Sequence, residues 1–167
     1  MASAHVVSYA VEAGLYDPKI GKPFSWKKAY SPAEGSALST EGRRSRMWRF
    51  FDLVAPAQKF KVELPNMDFP FSVKPDAKLS VRDVMALTRD KSQGTVFDPV
   101  RGLRGGPFKN PNYYKGTRLI SVPNVEYTTL TQCRSWLPNP IGGIVWVALG
   151  AQDTSCYVPF YAGATEI

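Results

Sequence analysis

The last third of the chain constrains the fold most strongly, because its composition favours strands. Four segments there are rich in β-branched and aromatic residues, and they span residues 118–122, 125–136, 143–149 and 154–161. Proline, asparagine and glycine separate the segments, and residues 150–153 are typical of a turn between the last two. We therefore predict an antiparallel sheet in this part of the chain, with residues 143–149 as a buried strand.

The first two thirds of the chain indicate helices instead. The clearest pattern covers residues 40–54, where apolar side chains recur at helical spacing before Pro56 ends the segment. These apolar positions are Met47, Phe50, Phe51 and Val54. Another helix is predicted to begin at Ser80, which has the spacing of a capping box with Asp83, and to extend to about residue 89 or 91.

The remaining segments are less regular. Residues 3–14 predict a helix that ends at Gly14, although the alternation of apolar residues in this segment also fits a strand. Residues 20–33 are predicted to form a loop, and we expect its aromatic side chains to pack onto the core. Residues 92–114 are rich in glycine, proline, asparagine and aspartate, which indicates a long loop over the surface.

Helices followed by an antiparallel sheet define the α+β class. A chain of 167 residues can form one domain with an adequate core, and we expect residues 1–167 to be a single domain or an internal segment of a larger protein. No apolar run approaches the roughly 18 residues that a membrane-spanning helix needs, so no membrane partner is expected. No signal peptide is recognisable, and we expect a cytoplasmic protein.

The chain is basic, with 21 Lys and Arg against 14 Asp and Glu and a formal net charge of +7. Basic domains bind nucleic acid or other polyanions when their cations form one surface. Here the cations are scattered, so nucleic acid is not the partner that we expect. The alternative function is nevertheless a non-enzymatic binding module for nucleic acid or another polyanion. It would use Arg43, Arg44, Lys27 and Lys28 together with Trp26 and Trp48.

Two arginines of the helix over residues 40–54 are predicted to face different ways. At about 100° per residue, Arg46 lies about 40° from Phe50 and borders the apolar face, whereas Arg49 points to the opposite side. An arginine at such a border requires an anionic partner, which is either a structural carboxylate or a substrate anion. Arg49, by contrast, is predicted to be solvated.

The chain holds two cysteines, Cys133 and Cys156, and one histidine, His5. No Cys-x-x-Cys or His-x-x-x-His spacing is present, so the sequence does not predict a zinc site. His5 is predicted to lie on the surface, and it gives neither cysteine a persuasive catalytic base. Both cysteines lie in strand-like segments, and we expect them to be reduced, small structural residues of the core.

Several motifs along the chain resemble one family in order and spacing. The last third reads RLISVPNVEYTTLTQCRSWLPNPIGGIVWVALGAQDTSCYVPFYAG, and the earlier motifs are AHVVSYAVEAGLYDP, GKPFSWKKAY and RMWRFFDLVAP. Together they are similar to the dipeptidases of the N-terminal-nucleophile cysteine peptidases, the dipeptidase A group of lactic acid bacteria. The resemblance covers nearly all 167 residues.

This resemblance implies a four-layer αββα sandwich and a hydrolase that cleaves dipeptides with broad specificity. The first residue of the mature enzyme would be a cysteine, whose thiolate attacks the peptide carbonyl while its own α-amino group acts as the base. No metal or organic cofactor is implied. The expected partners are a dipeptide substrate, the rest of the same enzyme chain and, in a homo-oligomer, further copies of it.

The chain departs from the family at its start, where Met1-Ala2-Ser3-Ala4 contains no cysteine. We therefore interpret it as an internal segment that supplies scaffold and part of the substrate pocket. Residues 45–50, SRMWRF, resemble the Ser-Arg-x-x-Arg element of the related choloylglycine hydrolases, in which the first arginine favours the thiolate. This assigns a catalytic role to Arg46. Asn124, Glu126 and Arg134 are candidates for substrate binding, which cross-strand pairing explains equally well.

Overall fold

The computed structural model describes residues 3–30, 41–62, 69–102, 106–112 and 118–165. Within these ranges, helices precede an antiparallel sheet, which confirms the α+β class. The helices are α1 (Val6–Glu12), α2 (Trp26–Tyr30), α3 (Glu41–Val54), α4 (Val81–Thr88) and α5 (Asn139–Gly142). The strands are β1 (Tyr127–Cys133), β2 (Gly143–Leu149) and β3 (Val158–Tyr161), and short 3-10 turns occupy Pro18–Ile20 and Pro56–Gln58.

The helix predicted near the N-terminus is confirmed as α1, and Gly14 follows it with a φ of 68°, a left-handed conformation that favours glycine. The loop predicted over residues 20–33 is wrong in part, because α2 lies within it; residues 31–33 lie outside the described residues. Ser25 begins α2, since its carbonyl accepts the backbone N–H of Ala29 at 2.9 Å. Trp26 remains 61% exposed rather than packing onto the core.

Helix α3 has the predicted extent but turns a different face to the interior. Its buried positions are Ser45, Trp48, Phe51 and Val54, which recur every three residues, whereas Phe50 is 43% exposed. Trp48 and Phe51 join Phe69 and Phe97 in the main apolar cluster. The indole N–H of Trp48 also donates to the carbonyl of Phe60 at 2.9 Å. A buried indole needs such an acceptor, and the carbonyl of Phe60 supplies it.

The segment predicted as a surface loop contributes to the core. Its described parts, residues 92–102 and 106–112, contain no helix or strand, but Phe97 is almost fully buried. The rings of Phe97 and Trp48 lie 5.8 Å apart in an edge-to-face arrangement. The prediction that this segment runs over the surface is therefore wrong around Phe97.

Helix α4 begins as predicted. The hydroxyl of Ser80 accepts the backbone N–H of Asp83 at 3.2 Å, and the carboxylate of Asp83 accepts the backbone N–H of Ser80 at 2.7 Å. This reciprocal pair is a capping box. The hydrogen bonds from Ser80 hold the pKa of the Asp83 carboxyl below its ordinary value.

The sheet has the order β1-β2-β3, and both neighbouring pairs are antiparallel. Strand β2 coincides with the prediction, whereas β1 and β3 are shorter than predicted. Residues 118–122 are not a strand, because their backbone groups bond to other partners. Ser121 donates its N–H to the carbonyl of Asp90 at 3.0 Å, and Arg118 donates its N–H to the hydroxyl of Ser45 at 3.4 Å.

The two faces of the sheet differ in exposure. Ile144 and Ala148 of β2 point inward and are buried. The opposite face presents large apolar side chains to solvent, and we call it the open sheet face. It consists of Tyr127, Val145, Leu149, Val158 and Phe160, which the strand register places on one side. Cys133 and Cys156 are also exposed, so the prediction that they are core residues is wrong.

None of the helices in the described ranges combines the length and the apolar character that a bilayer crossing requires.

Candidate functional site

Arg46 lies beside an apolar cavity of about 240 Å³ on one side of α3. Helix positions one, four and five residues after Arg46 contribute Met47, Phe50 and Phe51 to its wall. Ile120 lines the cavity from the segment that precedes β1. We call this space, with these five lining residues, the Arg46 cavity.

The two walls of the Arg46 cavity are joined by hydrogen bonds through Ser45. This buried side chain precedes Arg46 on α3, and its hydroxyl accepts the backbone N–H of Arg118 at 3.4 Å. The same hydroxyl donates to the carbonyl of Arg118 at 3.4 Å. Ser45 therefore holds residues 118–120 against α3.

Arg49 is not solvated, which corrects the prediction from helix geometry. Its side chain is 12% exposed, and its Nε and Nη2 donate to the two carboxylate oxygens of Asp90 at 2.9 and 2.8 Å. Its Nη1 donates to Asp52 at 2.9 Å. Burial favours the neutral form of Arg49, but the hydrogen bonds and charges of Asp90 and Asp52 outweigh it and raise the pKa of the guanidinium.

Asp90 connects both walls of the Arg46 cavity. Its carboxylate holds Arg49 of α3, while its backbone carbonyl accepts the N–H of Ser121 from the other wall at 3.0 Å. The carboxylate also accepts the backbone N–H of Ser92 at 2.7 Å. No local sequence pattern predicts this role, because Arg49 and Asp90 lie 41 residues apart.

A second polar network joins Lys91 and Ser121 to the turn between β2 and β3. The ammonium group of Lys91, a buried residue, lies 2.6 Å from a carboxylate oxygen of Asp153 and 2.7 Å from the side-chain oxygen of Asn112. Ser121 donates its hydroxyl to Asp153 at 2.8 Å. Burial raises the pKa of the Asp153 carboxyl, but the hydrogen bonds from Lys91 and Ser121 outweigh burial and hold it below its ordinary value.

The candidate binding residues lie at two ends of β1. Asn124 and Glu126 are exposed and follow Ile120 by four and six residues, and the carbonyl of Glu126 accepts the N–H of Gly150 at 2.7 Å. Arg134 follows the other end of β1, where its guanidinium donates to the carbonyl of Ile141. At about 3.3 Å per residue, the strand separates Arg134 from Glu126 by about 26 Å.

Another cavity, of about 490 Å³, lies in the loop around Asp98. The Asp98 carboxylate is hydrogen-bonded within its own loop. It accepts backbone N–H groups from Gly94, Val100 and Arg101 at 2.9, 2.8 and 3.1 Å. Burial raises the pKa of Asp98, but these three donors outweigh burial and lower it. Asp98 therefore shapes the loop rather than presenting an open carboxylate.

The described residues offer little other reactive chemistry. They contain no group of three His, Cys, Asp and Glu side chains that could hold a metal ion. Cys133 and Cys156 are free thiols, and His5 is exposed near the start of α1.

Comparison with known proteins defines the family. The model of Peptidase family C69 matches residues 1–167, and the chain belongs to this family. The chain is 32% identical over 163 residues to a "Probable dipeptidase" of Salmonella dublin, an alignment that covers 98% of this chain and 35% of that protein. It is 28% identical over 165 residues to a "Probable dipeptidase B" of Streptococcus pyogenes serotype M1, covering 96% of this chain and 31% of that protein.

A protein of Lactobacillus helveticus named "Dipeptidase A" is 26% identical over 100 residues, which cover 60% of this chain and 20% of that protein. The resemblance to the dipeptidases is thus confirmed at the level of the family. The chain spans about a third of the length of the Salmonella and Streptococcus relatives.

Proposed function

We propose that this chain is a segment of a cysteine dipeptidase and supplies scaffold and part of its substrate pocket. The observation that carries the proposal is the match to Peptidase family C69 over the whole chain, with relatives that are named dipeptidases. The nucleophile would be an N-terminal cysteine outside these 167 residues, since the chain contains only Cys133 and Cys156.

The proposed reaction needs a thiol and a base on the same residue. The α-amino group of the N-terminal cysteine takes the thiol proton, and the thiolate forms a bond to the peptide carbonyl carbon. The carbon–nitrogen bond then breaks, the amine leaves with that proton, and water hydrolyses the thioester to release the acid and the thiol.

Arg46 is the residue of this chain that we propose to act on the reacting atoms. A guanidinium near the nucleophile lowers the pKa of the thiol, because it stabilises the thiolate. The anchoring of α3 by Ser45 and Arg49 supports this role, since it gives Arg46 a fixed position. Asn124 and Glu126 are proposed substrate contacts that follow Ile120 along the chain. Arg134 is left out of this pocket because it lies beyond the far end of β1.

We further propose that the open sheet face is an inner surface of an αββα sandwich. A large exposed apolar patch marks a surface that another element covers. In the proposed enzyme, a second sheet from the rest of the chain would cover it, as the greater length of the relatives allows. The two free cysteines fit a reducing compartment, and we propose the cytoplasm.

The alternative polyanion-binding function finds less support. Trp48, which would stack on bases, is buried against Phe97 and donates its indole N–H to Phe60. Lys27 donates its ammonium group to the carbonyl of Phe69 at 2.8 Å. Neither side chain therefore forms part of an open basic surface.

A hydrolysis assay tests the proposed function. The complete enzyme that contains this chain should release amino acids from dipeptides, and replacement of its N-terminal cysteine by alanine should abolish the activity. The isolated 167-residue chain should be inactive. Turnover by the isolated chain that is lost with Cys133→Ala or Cys156→Ala would contradict the proposal.

A further inference from the structure

We propose that the cavity in the loop around Asp98 binds the C-terminal carboxylate of the dipeptide substrate, with Arg101 as the cation. This space, which we call the Asp98 loop cavity, is lined by Gln93, Gly94, Thr95, Asp98, Val100 and Arg101. The inference rests on the proposed dipeptidase function and adds substrate-binding residues to it. It predicts that the enzyme favours dipeptides whose carboxylate is free.

The Asp98 loop cavity has the dimensions of a small-molecule site. Its volume is about 490 Å³, and cavities that bind small molecules in proteins measure about 300 to 1,000 Å³. The described residues between α4 and β1 contain no helix or strand. Irregular segments longer than about 12 to 15 residues are uncommon in compact domains, and those with a defined structure usually carry function.

The wall of the cavity is held in one conformation. Phe97 anchors the loop in the main apolar cluster, and Nη2 of Arg49 donates to the carbonyl of Gln93 at 3.5 Å. The backbone folds back at Gly102, whose N–H donates to the carbonyl of Asp98 at 2.8 Å. A Cβ atom on Gly102 would lie 2.7 Å from backbone atoms of Asp98, so this close approach requires glycine. A ligand therefore meets a wall that is already formed.

Arg101 is the cation that this cavity offers. Its side chain is exposed, and its guanidinium has no hydrogen bond or ion pair with any of the residues that the structure describes. Burial raises the pKa of the Asp98 carboxyl, whereas three backbone donors and then the charge of Arg101 lower it. The guanidinium thus lies within electrostatic reach of a carboxylate that lines the cavity, and its own donors remain available for a ligand.

Gln93 supplies a second donor in the same wall. Its side-chain oxygen accepts the backbone N–H of Lys91 at 3.0 Å, which fixes the orientation of the carboxamide. The amide nitrogen is left as a donor that has no acceptor within the described part of the chain. Because the Asp98 oxygens already accept three N–H groups, the side-chain groups that remain available are donors. They match the carboxylate of a dipeptide and not its ammonium group.

The cavity lies beside the part of α3 that carries Arg46. Arg49, which contacts the loop at Gln93, follows Arg46 by three residues, or about 4.5 Å along the helix axis. In a dipeptide, the peptide bond and the C-terminal carboxylate flank the same Cα atom. A carboxylate site next to this part of α3 is therefore compatible with a nucleophile that acts near Arg46.

The test compares glycyl-leucine with glycyl-leucinamide, which lacks the carboxylate, as substrates of the complete enzyme. Arg101→Met removes the charge and keeps an unbranched side chain. It should lower kcat/KM for glycyl-leucine at least about 10-fold, mainly through a higher KM, and change that for glycyl-leucinamide less than about threefold. Arg101→Lys keeps the charge without the paired donors and should recover part of the loss.

Gln93→Glu tests the second donor independently. It keeps an oxygen that can accept the N–H of Lys91 and replaces the amide nitrogen with a second carboxylate oxygen. The added negative charge should lower kcat/KM for glycyl-leucine without affecting glycyl-leucinamide. Arg82→Met, at an exposed position of α4 outside the cavity, is the matched control and should leave both substrates unchanged. Thermal unfolding should confirm that all the variants fold like the unchanged enzyme.

The outcomes separate the two proposals. Failure of the complete enzyme to cleave any dipeptide would overturn the proposed function. If the enzyme is active, an equal effect of Arg101→Met on glycyl-leucine and glycyl-leucinamide would overturn the carboxylate site alone. A loss in Arg82→Met as large as that in Arg101→Met would overturn it as well.

Discussion

Arg49 and Asp90 form a two-point ion pair, in which Nε and Nη2 of the guanidinium lie 2.9 and 2.8 Å from the two carboxylate oxygens. The two side chains are only 12% and 9% exposed. Because the backbone carbonyl of Asp90 also binds Ser121, this pair fixes helix α3 relative to the segment that carries Ile120. The position of Arg46 therefore depends on a contact that Arg46 itself does not make.

Removal of Arg49 should destabilise the fold. Arg49→Ala leaves the Asp90 carboxylate buried without its cation, and such losses cost about 3 kcal/mol of unfolding free energy. Urea unfolding followed by circular dichroism measures the change. Arg82→Ala, at an exposed position of α4, is the matched control and should alter stability by less than about 0.5 kcal/mol. Equal stabilities of the two variants would show that the ion pair contributes nothing.

Stability should also fall at acidic pH through Asp153. The pKa of its carboxyl is lower in the folded chain than in the unfolded chain, whose aspartates titrate near pH 3.9. The unfolded state thus binds more protons as the pH falls from about 5 towards the folded pKa, and the unfolding free energy declines over that range. Above about pH 5, the contribution of Asp153 to the unfolding free energy is fully present.

Asp153→Asn should make this decline shallower. Urea unfolding at pH 7, 5, 4 and 3 gives the pH dependence, and the variant should lose less stability than the unchanged chain between pH 5 and 3. Glu12→Gln, at an exposed position of α1, should keep the original decline. If Asp153→Asn retains the full decline in unfolding free energy, the acid sensitivity arises from other carboxylates, such as Asp98.

Arg46 should be important for the chemical step in the complete enzyme. A cation that lowers the pKa of the thiol by one to two units contributes about 1.4 to 2.7 kcal/mol. Arg46→Ala should therefore lower kcat/KM about 10- to 100-fold with the fold intact, and Arg46→Lys should recover part of the loss. The thiol pKa, followed by the pH dependence of alkylation, should rise in Arg46→Ala. An unchanged alkylation profile would contradict a role beside the nucleophile.

The open sheet face should give the isolated chain an exposed hydrophobic surface that promotes non-specific association. Its exposed side chains, of which Leu149 is 75% exposed, should bind a hydrophobic dye and promote self-association. Leu149→Ser with Val158→Thr should reduce both effects, whereas Ile20→Ser on another surface should not. Dye fluorescence and analytical ultracentrifugation measure them. A monomer that melts in one sharp transition without binding dye would identify an autonomous domain instead.

The elements that local sequence determines could be predicted, and the contacts between distant segments could not. The capping box of Ser80 and Asp83 spans three residues, so its pattern was sufficient to locate the start of α4. The extent of α3 was predicted as well, but its rotation was not. That rotation depends on Phe97, which packs on Trp48 from a segment whose composition indicated only a surface loop.

In the candidate site, too, local features could be predicted from the sequence and contacts between distant segments could not. The position of Arg46 next to Phe50 follows from helix geometry, whereas Ile120 reaches the cavity only because Ser45 and Asp90 hold residues 118–122. The β-branched composition of that segment fits a strand and a buried irregular segment equally well. Its hydrogen-bond partners decide between the two, and they lie 31 or more residues away in sequence.

The most direct test of a catalytic cysteine outside this chain is to label the nucleophile. A dipeptide chloromethyl ketone alkylates an activated thiolate by displacement of chloride, and peptide mapping by mass spectrometry then identifies the modified cysteine. In the complete enzyme, we predict a single label on the N-terminal cysteine, with Cys133 and Cys156 unmodified. A label on Cys133 or Cys156, with a matching loss of dipeptide hydrolysis, would contradict the account.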